Sequence, residues 1–168
     1  MSLPAHPAPW SGPTAFPVGR AAVTGTTRSA APRTVQLCLT GDLTGCGQAR
    51  AFTERALVDW GLDRCLDDAL LVVSELTANA MLHARTCAPG GERGSDVRLR
   101  LTRRRAHLVC AVTDRSDAVP VSPHTPDSFQ EHGRGLFLVE ALAQHWGWTR
   151  YTPAGKTVWA ILPTEAPA

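Results

Sequence analysis

Apolar and polar positions change their period several times along this chain, and each change marks an element. Residues 34–40 set Val35, Leu37 and Leu39 on one side, a period of two that predicts a strand. Beyond Gly41 and Asp42 the period lengthens, and residues 43–60 read as an amphipathic helix closed by Gly61. Asp63 suits the N-cap of a second, longer helix reaching to about Arg85. Its core stripe is Leu66, Leu70, Val73, Thr77, Ala80 and Ala84. Pro89, Gly90, Gly91 and Gly94 end that helix in a loop, and residues 97–102 and 107–113 then read as a hairpin around Arg103, Arg104 and Arg105.

Residues 114–132 have no period and carry Pro120, Pro123 and Pro126, which predicts a functional loop. Helical spacing returns over residues 135–144 through Leu136, Val139, Leu142 and Ala143. Residues 146–151 and 156–162 close the pattern as two strands joined by a turn. This order predicts an α+β fold, a two-layer sandwich with helices on one face of a mixed, mainly antiparallel sheet. Residues 1–30 hold five of the 13 prolines and neither period, so they predict a disordered tail. One domain over 31–163 remains, followed by a short tail over 164–168.

A hydrophobic fraction of 43% supports a real core. The longest apolar runs have five residues, against about 20 for a membrane-spanning helix. No Lys or Arg precedes Arg20, which argues against a secretory signal, so a soluble cytoplasmic protein without membrane contact is expected. With 17 basic and 15 acidic residues the balance of +2 is too even for a dedicated nucleic-acid binder. Sixteen of the basic residues are Arg and only Lys156 is Lys, as in the coding of a GC-rich bacterial genome. The five cysteines form no CxxC, so free thiols are expected, with Cys38 and Cys110 as small buried hydrophobes in strands. Trp146, Trp148 and Trp159 read as packing the sheet and its helices rather than a ligand.

Four groups of residues carry candidate chemistry. Glu75, Asn79 and His83 are spaced i, i+4, i+8 and line one flank of the long helix. Asn offers a neutral oxygen suited to Mg²⁺, and Glu can accept a proton from a hydroxyl; a plain solvated flank has the same look. Asp114 closes an apolar strand where a carboxylate can accept from a base amino group, or can start an Asx-turn. Gly133, Arg134, Gly135 and Leu136 open a helix whose first N–H groups favour anions. Thr157 enters the last strand after Gly155 and Lys156, with a hydroxyl able to bond a base or a water.

Taken in order, ELTANAMLHA, VTD at a strand end, a long loop, GRGLFLVEALAQHWGW and GKTVW are more specific than any one of them. The set resembles the ATP-binding domain (GHKL, or Bergerat fold) shared by gyrase, histidine kinases and MutL. Within that superfamily it is most similar to the single-domain bacterial anti-sigma factors that are also serine/threonine kinases. The resemblance implies a histidine-kinase-like ATPase fold, with ATP and Mg²⁺ as cofactors. It implies Asn79 as the Mg²⁺ ligand, Glu75 as general base, and His83 at the phosphate end. Asp114 would bind the adenine amino group with help from Thr157, and Gly133, Arg134, Gly135 and Leu136 would cradle the triphosphate under a lid over residues 119–132. The family's adenine loop is Asp-x-Gly-x-Gly, whereas here Ser116 and Ala118 stand at the glycine positions.

The implied partners are a sigma factor and an anti-anti-sigma protein of the STAS type, with a homodimer as a further expectation. A second reading keeps the fold as a partner-switching module that lacks catalysis. The catalytic half of a sensor histidine kinase fits poorly, because a tail of about 30 residues is too short for a dimeric phosphoacceptor hairpin.

Overall fold

The computed structural model describes residues 32–40, 44–86, 97–120, 134–150 and 155–164. The elements run β1 (Arg33–Leu39), α1 (Thr44–Trp60), α2 (Leu66–Thr86), β2 (Val97–Arg103), β3 (His107–Asp114), α3 (Arg134–Leu142), β4 (His145–Arg150) and β5 (Lys156–Pro163). The N-terminal tail, Gly133 and most of the expected lid lie outside the described residues.

One five-stranded sheet has the order β1-β2-β3-β5-β4. Every pairing among the described strands is antiparallel, in line with the mainly antiparallel sheet expected from the sequence and with no parallel pair among them. The physical reason lies in the last hairpin: β4 forms the edge and the chain turns back as β5 between β4 and β3. That insertion sets the end of β3 against the start of β5, with Asp114 opposite Lys156.

The pleat sorts side chains by alternate position. Leu108, Cys110, Val112 and Asp114 of β3 are buried together with Leu99 and Leu101 of β2 and Val158, Ala160 and Leu162 of β5. This is the face the helices cover, and the core also takes Ala69, Val72, Val73, Leu76, Ala80 and Met81 from α2. The buried surface of α2 is wider than a single stripe because α1, α3 and the sheet all pack on it. Leu66 and Leu70 of the expected stripe are only half-buried at its border.

Asp63 does not cap α2. It begins a short 3₁₀ turn, Asp63–Cys65, whose capping residue Leu62 makes no side-chain cap bond. The turn follows directly from the end of α1, where Gly61 takes a φ of 65°. There the N–H of Gly61 donates to Val58 at 3.0 Å and that of Leu62 to Leu57 at 2.9 Å, a paired C-terminal closure that favours glycine.

Two further expectations are corrected. Cys38 is exposed, because the period that buries Leu39 turns Cys38 to the other face, while Cys110 is fully buried and its burial pushes the thiol pKa up. Trp146 and Trp148 pack on the core, but the same alternation turns Trp159 to the opposite face, over Gly147. A Cβ on Gly147 would stand 2.7 Å from the Trp159 ring.

Arg103 also leaves the basic run. It donates to the carbonyl oxygen of Trp60 at 2.7 Å, so it ties the hairpin to the C-terminal end of α1 while Arg104 and Arg105 stay exposed.

Candidate functional site

Asp114 is the last residue of β3 and points to the helix-covered side, with 2% of its surface exposed. Its Oδ1 accepts the backbone N–H of Ser116 at 2.8 Å and the ammonium of Lys156 at 2.9 Å. The other oxygen, Oδ2, is buried and has no partner among the described residues. An Asx-turn and a ligand-facing acceptor were alternatives in the sequence; the turn forms through Oδ1, and Oδ2 keeps no partner among the described residues.

The replaced glycines cause no strain in this loop. No described residue other than glycine has a positive φ, so Ser116 and Ala118 follow a backbone that L-residues adopt freely. Ser116 is buried, and its hydroxyl accepts the N–H of Ala118 at 3.1 Å. The Asp117 carboxylate accepts the N–H of Gly155 at 3.1 Å, and Arg150 donates to the Asp117 carbonyl at 3.0 Å. The guanidinium of Arg150 also lies 5.6 Å from the centre of the Trp148 ring. Gly155 has a φ of 115°, and a Cβ there would come within 2.7 Å of the Asp114 carbonyl oxygen. Polar side chains thus fasten residues 114–118 to the start of β5, where the resembling family uses glycine.

Lys156 is the residue that sequence reasoning missed. Its ammonium also reaches the Ser116 carbonyl at 3.4 Å, and the two side chains of the ion pair are 3% and 1% exposed. The signal was present, since this is the chain's only lysine beside 16 arginines. A slender stem with a point charge fits this buried position, whereas a planar guanidinium needs more room. Thr157, expected beside Asp114, is instead in register with Thr113, and their hydroxyls lie 2.6 Å apart. The pleat turns that pair to the face opposite Asp114.

At the other end, Glu75 and Asn79 are both half-buried on α2. A Cβ on Gly135 would collide with the Glu75 carboxylate, so glycine there lets the first turn of α3 lie against Glu75. The structure therefore brings Glu75 to the start of the helix that the sequence assigned to phosphate. Leu136 is 6% exposed and belongs to the core, which leaves its backbone as the part able to meet a ligand. The side chains of His83 and Arg134 lie outside the described residues, although both positions are helical.

The donor set fits a nucleotide in two respects. An orphaned buried carboxylate oxygen calls for a donor such as an exocyclic amino group. The neutral amide oxygen of Asn79 suits a cation that takes most of its ligands from phosphate and water.

A family profile described as the histidine kinase-like ATPase domain matches residues 39–162. No curated protein matches the chain in sequence. Among solved structures, the chain is similar to the RsbU and RsbW domains of Rv1364c from Mycobacterium tuberculosis, with a TM-score of 0.59 and 17% identity. That match covers 81% of this chain and 34% of the other, so the likeness is one of fold and spans about a third of the other's length.

Proposed function

Because the chain belongs to the histidine kinase-like ATPase domain family, we propose that it binds ATP and transfers the γ-phosphoryl group to a serine or threonine of an antagonist protein. The observation that carries this reading is Asp114 Oδ2, a buried acceptor at the end of β3 with no donor among the described residues. Leaving such a group unpaired costs about 1–3 kcal/mol, and the amino group of adenine would satisfy it.

Asp114 and Ser116 would hold the base. Asn79 would hold Mg²⁺, which when bound neutralises charge on the phosphates. The backbone of the first turn of α3, at Gly135, would offer its free N–H groups to phosphate oxygens, and the resemblance assigns Gly133 and Arg134 to the same cradle. As the acceptor hydroxyl bonds to the γ-phosphorus, the bond to the bridging oxygen breaks, ADP leaves and the hydroxyl proton passes to Glu75.

The partner assignment rests on the resemblance to anti-sigma kinases. The protein would hold a sigma factor away from transcription in the cytoplasm, as a monomer or homodimer. Phosphate added to a STAS-type antagonist would release that antagonist by its new charge. The second reading, a partner-switching module without catalysis, is favoured by the ion pair that Lys156 makes with Asp114.

Calorimetric titration with ATP, with and without Mg²⁺, tests the nucleotide site, and transfer of labelled phosphate to a candidate antagonist tests the chemistry. Binding strengthened by Mg²⁺ and followed by transfer is expected. Binding without transfer would select the module.

A further inference from the structure

We infer that Lys156 reads the nucleotide base, presenting a hydrogen-bond donor next to the Asp114 acceptor. This rests on the proposal that the site takes ATP.

An ammonium has three N–H donors. One goes to Asp114 Oδ1 and a second to the Ser116 carbonyl, while the third has no partner among the described residues. Asp114 divides in the same way, with Oδ1 taken twice and Oδ2 left over. What remains of the pair is one acceptor beside one donor, both buried. A 6-aminopurine carries the complement on neighbouring atoms: the amino group donates and ring nitrogen N1 accepts. A 6-oxopurine carries the reverse, an acceptor at position 6 and a donor at N1, so it would meet like against like twice.

The position of the ammonium matters as much as its charge. A lysine acting only as a plug in the base pocket would satisfy the carboxylate oxygen that faces the pocket. Here it sits on the oxygen already used by the turn and leaves the other without a partner among the described residues. The register of β3 and β5 fixes this, by setting Lys156 rather than Thr157 opposite Asp114.

The test is binding of ATP and of 1-deaza-ATP, which has C–H in place of N1, to the parent and to Lys156→Met. The parent should bind ATP about tenfold more tightly than the deaza analogue, the usual effect of one bond to a charged donor. In Lys156→Met that ratio should fall to about one. A purely structural role would weaken both ligands alike and keep the ratio.

Because the variant leaves a buried carboxylate and can fail to fold, a second measurement uses the parent alone. Lys156 is the chain's only lysine, so lysine labelled at Cε and Nζ gives a single side-chain NMR signal. ATP should shift it, and saturating 1-deaza-ATP should leave it near its free position. Equal shifts, an unchanged ratio, or tighter ATP binding by Lys156→Met would each overturn the inference while leaving the ATP site standing. Failure of the parent to bind ATP would overturn both.

Discussion

At the proposed base end of the site, Asp114, Ser116 and Lys156 are nine-tenths buried or more and tied to one another by strand register and short polar contacts. At the proposed phosphate end, Glu75 and Asn79 stand half-buried on α2, and Glu75 lies against the opening turn of α3. The two ends thus divide the costs of holding a ligand. Groups at the base end are structural parts of the sheet whether or not a nucleotide is present, while those at the phosphate end are free to serve chemistry at little cost to the fold. Substitutions should therefore read out as stability at one end and as rate at the other.

The largest expected effect is at the phosphate end. Glu75→Ala should slow phosphoryl transfer by about a hundred- to ten-thousand-fold, the usual range for a lost general base, with ATP affinity kept. Asn79→Ala should weaken Mg-ATP binding itself by about tenfold, as expected for a lost bond to a charged group. Unfolding free energies of both by urea denaturation should stay within about 1 kcal/mol of the parent, since neither side chain is fully buried. If Glu75→Ala transfers at the parental rate, the division of roles at this end is wrong.

Next in size is the base end. Lys156→Met strands a carboxylate inside the fold, and breaking a buried pair from one side costs about 3–5 kcal/mol. Against a typical total of about 5–15 kcal/mol, that loss is plain in a denaturation curve. Adding Asp114→Leu should recover most of it, because two apolar side chains replace the pair without leaving a charge. The double variant should fold and bind no ATP. A Lys156→Met single variant as stable as the parent would erase the contrast between the two ends.

The same contrast explains what the sequence disclosed. Period and punctuation were enough for the strands and helices, and for placing Glu75 and Asn79 on one flank of α2, because a flank at i, i+4 depends on one helix alone. The base end depends on which strand lies beside β3 and in what register, and neither is written in local periodicity. Thr157 and Lys156 are one residue apart, yet the pleat sends them to opposite faces, so an error of one position exchanges a hydroxyl for an ammonium. Cys38 and Trp159 were misplaced by the same alternation of faces, which turns each away from its buried neighbours. Asp63 failed as a cap for a different reason: the tight closure at Gly61 carries the chain straight into a 3₁₀ turn, with Leu62 at the capping position and Asp63 already inside the turn.

The smallest expected effect separates charge burial from hydrogen bonding. Arg103 resembles Lys156 in being a cation at a strand end, but its partner is the neutral carbonyl of Trp60 and it is only half-buried. Arg103→Ala strands no opposite charge. The loss should be that of one charge-assisted bond at a helix C-terminus, about 1–2 kcal/mol by urea denaturation. Arg104→Ala, one residue on and exposed, should stay within about 0.5 kcal/mol. If Arg103→Ala were to cost as much as Lys156→Met, the large effect at the base end could not be assigned to a stranded carboxylate, because a cation facing a neutral oxygen would have produced it too.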